Sequence, residues 1–163
     1  MNIAQRTHVN VAKREVTFIR TFDAPQERVF RAFAEADAVK QWWMSESCRI
    51  VYCTIDFRPG GVWHYCLIDP DGQEHWAKAI YREIVEPERI VYVDGSSDAA
   101  GNEVAGLPPG LTTVTLDEVM GMTKLTAHIR YATDADLASV VARGMLEGFR
   151  YSLDLLERSL ADA

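Results

Sequence analysis

Polar and apolar residues alternate along residues 14–22, REVTFIRTF, where Val16, Phe18 and Phe22 fall on one face at period two and predict a strand. The period then changes. In residues 23–36 Asp23 or Ala24 can cap a helix, Pro25 fits the first turn, where a missing N–H costs nothing, and Val29, Phe30 and Phe33 form an apolar stripe. A second helical turn is expected over 38–44, AVKQWWM. From Cys48 to Val93 period two returns. Strands are expected at 48–57, 62–69, 75–85 and 89–93, with the turn signals Arg58-Pro59-Gly60-Gly61 and Asp69-Pro70-Asp71-Gly72 between the first three.

Residues 94–110 are rich in Gly, Ala, Ser, Asp and Pro and show no period, the pattern of a long functional or mobile loop. Two more strands, 111–119 and 123–132, flank Met120-Gly121-Met122. In the second, Leu125, Ala127, Ile129 and Tyr131 alternate with Lys124, Thr126, His128 and Arg130. The longest signal is helical. Over 134–161, behind a cap at Thr133 or Asp134, Leu137, Val141, Met145, Phe149, Ser152 and Leu156 follow a period near 3.6. One helix of that length spans about 40 Å. Gly144 and Gly148 interrupt its buried stripe, each at about 1 kcal/mol relative to Ala, which points to close packing on the sheet or to room for a ligand.

The order is strand, two short helices, six strands, long helix. It predicts an α+β domain over 14–161, behind a polar, aperiodic arm at 1–13. A seven-stranded antiparallel sheet must curl, and the long C-terminal helix is the natural filler of its concave side.

Composition narrows the function. With 163 residues, 48% of them apolar, the chain can bury one sizeable core. Its 17 basic and 24 acidic residues give a net charge of −7 with no Lys/Arg run, which argues against a nucleic-acid surface. No apolar stretch approaches the roughly 20 residues of a membrane span, and residues 1–13 have no apolar signal core. Cys48, Cys53 and Cys66 are an odd set without C-x-x-C spacing, as in a reduced protein. A cytoplasmic protein without membrane contact is expected.

The strand faces suggest where a site would lie. If Phe57 opposes Val62, then Tyr52, Thr54, Asp56, Trp63, Tyr65 and Leu67 share one face. Its aromatic area with polar tips suits a pocket wall, and equally fits plain core or an exposed aromatic patch. The same register sets Cys53 opposite Cys66, as two buried thiols rather than a bond. Along 75–85, Tyr81 is expected to face inward beside Ala77 and Ala79; a shift of one residue would place Trp76 there instead. Glu83 shares that face and, if inward, needs Arg20 or Arg58 as a partner; otherwise it belongs to an ion pair at the sheet rim. Of the adjacent Trp42 and Trp43, one plugs the core and the other, Trp43, flanks an entrance. Met145 and Phe149 are cavity liners or ordinary core.

These residues resemble a known family. The matching segments are Arg20-Thr21-Phe22-Asp23-Ala24-Pro25 with Val29-Phe30; Trp42-Trp43; Asp56-Phe57-Arg58-Pro59-Gly60-Gly61-Val62-Trp63; Tyr81-Arg82-Glu83-Ile84 with Pro87-Glu88-Arg89-Ile90; Thr123-Lys124-Leu125; and Met145-Leu146-Glu147-Gly148-Phe149 with Leu153 and Leu156. In that order and spacing they resemble the activator-of-Hsp90-ATPase-homologue-1-like (AHSA1-like) proteins of the START/Bet v 1-like (SRPBCC) superfamily. The resemblance implies the helix-grip fold, with a cavity between sheet and long helix in which relatives bind lipids, hormones and polyketides. The co-chaperone that gives the family its name carries a separate N-terminal domain. This sequence has no room for it and lacks its Asn/Trp-rich motif, so an Hsp90 partnership is not expected.

Signals for chemistry are absent. His8, His64, His75 and His128 have no zinc-site spacing, and no nucleophile elbow, Walker loop or dinucleotide fingerprint occurs. No catalytic residue, metal or cofactor is indicated. The expected function is binding of a small apolar or amphipathic molecule by Trp43, Tyr52, Asp56, Trp63, Tyr65, Tyr81, Glu83, Met145 and Phe149. The alternatives are a protein–protein module, chaperone-type or a homodimer, and a cavity enzyme using Asp56, Glu83 or His64 as acid/base.

Overall fold

The computed structural model describes residues 7–162. Its elements are β1 (His8–Ala12), β2 (Glu15–Phe22), α1 (Gln26–Ala34), α2 (Ala36–Val39), β3 (Arg49–Ile55), β4 (Val62–Ile68), β5 (Glu74–Val85), β6 (Arg89–Ser96), β7 (Gly110–Val119), β8 (Met122–Arg130), α3 (Asp134–Ala142) and α4 (Met145–Ala161). All the strands join one antiparallel sheet in the order β1-β2-β8-β7-β6-β5-β4-β3. The α+β helix-grip architecture is therefore present, with eight strands rather than seven.

The extra strand is β1, which falls in the segment expected to be a loose arm. It pairs as an edge strand, His8 opposite Ile19 through Ala12 opposite Glu15. Four of its five residues are exposed, so the segment had no apolar face to imprint on the sequence. Residues 1–6 of that arm lie outside the described residues. The segment expected to be a loop from 94 is also shorter, because β6 runs on to Ser96.

The sheet's inner face carries Val16 and Phe18 from β2, Leu125 and Ala127 from β8, Val114 and Leu116 from β7, and Ile90 and Tyr92 from β6. Against it lie Val29, Phe30 and Phe33 of α1, as their stripe predicts, and Leu153, Leu156 and Leu160 of α4. Arg20, 2% exposed on β2, ties helix to sheet. Its guanidinium donates to Asp154 Oδ1 and, at 2.7 Å, to Glu157 Oε1, both on α4. Arg20 is thus no partner of Glu83.

The C-terminal helix is not one rod. Thr133 caps α3, its Oγ1 accepting from Asp136 N at 3.0 Å. The helix stops at Arg143, and Gly144 adopts φ +91° before α4 begins. That left-handed conformation is the reason for a glycine there. Gly148 differs: it is helical, and an added Cβ would meet only Ser45 Cβ at 3.6 Å, an ordinary contact. The two glycines should therefore respond oppositely to alanine in urea unfolding. Gly144→Ala should cost about 1–2 kcal/mol, and Gly148→Ala should gain up to about 1 kcal/mol.

Candidate ligand-binding cleft

The break between α3 and α4 leaves a gap above the sheet. A cleft of about 1240 Å³ opens there, between the inner faces of β4–β8 and the α3–α4 corner, with residues 43–48 forming one lip. Tyr65, Leu67, Tyr92, Thr112 and Ile129 are on the sheet side; Val140, Met145, Gly148 and Phe149 are on the helix side. The lip is held to α4 by a reciprocal pair: Ser152 Oγ donates to Met44 O at 2.6 Å and accepts from Met44 N at 3.2 Å.

Trp43 is the hub of the aromatic wall. Its ring lies 5.9 Å from Tyr65, 6.0 Å from Phe149 and 4.7 Å from Trp63, in edge-on geometries that favour aromatic pairs. Trp42, by contrast, is wholly buried and donates from Nε1 to Ala32 O at 3.0 Å. The division of labour expected of the two tryptophans is the one observed.

Of the residues singled out by sequence, Trp43, Tyr65, Met145 and Phe149 line the cleft. Trp63 and Tyr81 face inward but lie in the core behind the wall, 3% and 2% exposed. The other three are elsewhere. Tyr52 is on the outer face, its ring 5.6 Å from His64 and 5.2 Å from Trp76. The hairpin register is the cause. Ile55, rather than the expected Asp56, opposes Trp63, so β3 is slipped by one residue from the expected pairing. A one-residue slip exchanges the two faces of a strand. Cys53 and Ile55 therefore point inward, and Asp56 turns to solvent, where it pairs with Arg58 at 2.9 Å. The slip also sets Cys53 opposite Tyr65 and Cys66 opposite Tyr52, so the two thiols lie on different faces; all three cysteines are free.

Glu83 is displaced by a β-bulge. Tyr81 opposes Tyr92, yet Glu83 opposes Val91, so Arg82 is the extra residue and the alternation changes phase behind it. Tyr81 keeps its inward direction, whereas Glu83 faces out and accepts two hydrogen bonds from Arg89, at 3.0 and 3.1 Å. That arginine holds its carboxyl below the ordinary range. Asp56 and Glu83 do not converge on any point in the cleft, and His64 sits on the outer face with its Nε2 3.1 Å from Asp98 O. An acid/base site built from these three is excluded.

The carboxylate that reaches the cleft from the sheet is Asp94. It follows Ile90 and Tyr92 at period two on the inner face of β6, opposite Ala79 on one side and Gly110 on the other. The residue is half-buried, and that burial pushes its pKa up to about 6, against the opposing pull of the backbone N–H groups of Gly110 and of Asp94 itself. Its charge in turn adds to the effect of burial in raising Tyr65, Tyr92 and Tyr131. Among the described residues no ion pair involves Asp94, and no group of three or more His, Cys, Asp or Glu is placed to hold a metal ion.

The family model described as "Activator of Hsp90 ATPase homolog 1-like protein" matches residues 23–161. The chain belongs to this AHSA1-like family. Solved structures share its fold. Protein Ms6760 from Mycobacterium smegmatis is 24% identical, with a TM-score of 0.84 over 95% of each chain. A protein from Arthrobacter aurescens is 22% identical, with a TM-score of 0.88 over 96% of this chain and 92% of that one. CalU16 from Micromonospora echinospora is 17% identical, with a TM-score of 0.68 over 96% and 87%. At these identities the likeness establishes the fold. No curated protein matches the chain. Among the described residues of this AHSA1-like protein, no helix is long and apolar enough to cross a membrane.

Proposed function

We propose that the protein binds a small apolar or amphipathic molecule in the cleft between its sheet and α3–α4, in the reducing environment its free thiols suit. The observation that carries this reading is the size and lining of the cleft. Small-molecule sites occupy roughly 300–1,000 Å³ and combine aromatic surface with a few placed polar groups. Here about 1240 Å³ is walled by Trp43, Tyr65, Tyr92, Met145 and Phe149, with Asp94 and Thr112 among the polar groups.

Native mass spectrometry of protein purified from its source tests the proposal. The expected result is an adduct of a few hundred daltons, absent from Gly148→Trp. That variant projects a large ring from a helical position whose added Cβ would make only an ordinary 3.6 Å contact with Ser45 Cβ, on the lip of the cleft. Bare wild-type mass under gentle ionisation, together with no saturable uptake of a neutral naphthalene probe, would contradict it.

A further inference from the structure

The acids around the cleft are not equivalent. Glu46 and Glu147 are exposed at its rim, near the exposed Arg143 and Arg150, and Asp154 is held by Arg20. His75, also at the rim, pairs with Asp69 at 2.9 Å. Asp94 alone among these acids projects from the sheet floor into the aromatic interior. The groups whose own protonation its charge affects are Tyr65 from β4, Tyr92 from β6 and Tyr131 beyond β8. Among the described residues no cationic side chain acts on it; burial and two backbone N–H groups do. An unpaired carboxylate in such a place is costly, and a cation brought by a ligand would offset that cost. The surrounding aromatic faces add attraction for a cation at short range.

Resting on the reading that the cleft binds a small molecule, we propose that the ligand is an amphipathic amine, its protonated nitrogen seated against Asp94 and the rings of Tyr65 and Tyr92, its apolar body against Trp43, Met145 and Phe149. At neutral pH Asp94 is predominantly ionised, since its pKa is about 6. It then accepts from an ammonium group, repels an anion, and offers no proton to a carbonyl.

Three probes with one body separate the terms: 2-naphthylmethylamine, 2-naphthylmethanol and 2-naphthoate. Their affinities are measured by calorimetry on wild type and Asp94→Asn at pH 7.5 and pH 5. The amine should bind wild type at least about tenfold more tightly than the alcohol at pH 7.5, with the carboxylate weakest. The advantage should shrink at pH 5, where Asp94 is largely protonated, and disappear in Asp94→Asn. Saturable binding of the alcohol by both proteins at pH 7.5 shows that the variant's cleft is intact. Equal affinity for amine and alcohol in wild type, or an amine preference that survives Asp94→Asn, would overturn the proposal while leaving the cleft as a binding site. An alcohol that binds more tightly at pH 5 without any amine preference would make Asp94 a hydrogen-bond donor and would overturn it too. If none of the three binds, the cleft reading itself fails and this inference falls with it.

Discussion

Arg20→Met should destabilise the protein by about 3 kcal/mol, read from urea unfolding at neutral pH. Removing one member of a buried ion pair costs about 3–5 kcal/mol, because the partner charges lose the group that offset their desolvation. The low end applies here because Asp154 is half exposed, with 51% of its side chain accessible. Methionine fills the stem's space, so the loss reports charge more than volume. The effect should depend weakly on salt, as expected for a guanidinium that is 2% exposed. Asp154→Asn in the Arg20→Met background should cost little more, since the pair acts as a unit. A loss below about 1 kcal/mol would mean that α4 is held to β2 by apolar packing alone.

Asp94→Asn is expected to do the reverse, increasingly as pH rises from about 4 and fully above neutral pH. The folded carboxyl's pKa lies at about 6 against an ordinary 3.8, so folding favours the protonated form. The ionised form carries the penalty. Stability is unaffected by it below about pH 4, falls as pH rises between the two values, and stays lowered above about pH 7. The gap corresponds to about 3 kcal/mol. Asparagine resembles the protonated acid in shape and does not titrate. The variant should therefore match wild type at pH 4 and exceed it by about 2–3 kcal/mol at pH 8. Equal stability at both pH values would mean that Asp94 is well solvated in the cleft. A residue that lowers stability in the unliganded protein is what a binding group looks like before its partner arrives.

Much of this architecture is legible in the chain. The apolar stripe of α1, the alternation in β2 and β8 and the turn signals at Gly60-Gly61 and Asp71-Gly72 each record a local preference that the fold keeps. The AHSA1-like motifs add the order of the elements. The site is less legible because it depends on register. Phe57 leaves the β3 strand to pack against Phe30 at 5.6 Å and Tyr81 at 5.2 Å. That contact between distant segments accompanies a hairpin register one residue away from the expected pairing, from Ile55 opposite Trp63 to Tyr52 opposite Cys66, and this register takes Tyr52 and Asp56 out of the cleft. The Arg82 bulge does the same to Glu83. Neither event has a sequence signal of its own.

Asp94 escaped for another reason. Asp94-Gly95-Ser96-Ser97 has loop composition, yet β7 pairs with β6 as far as Asp94 and β5 carries it through Ser96. Neighbouring strands override weak local propensity. Extending the period two of Ile90 and Tyr92 by one step would have placed the carboxylate on the inner face. The single long helix fails at Gly144 because a glycine inside a helical period and one ending a helix look alike in sequence.

Uptake of a small molecule by the cleft should be visible in a titration followed at the tryptophan indole N–H resonances. With 2-naphthylmethanol, Trp43 at the lip should shift saturably, while Trp42, wholly buried behind α1, should hardly move. In Gly148→Trp the Trp43 shift should vanish. No saturable change at Trp43, or one that persists undiminished when the cleft is filled, would contradict the account.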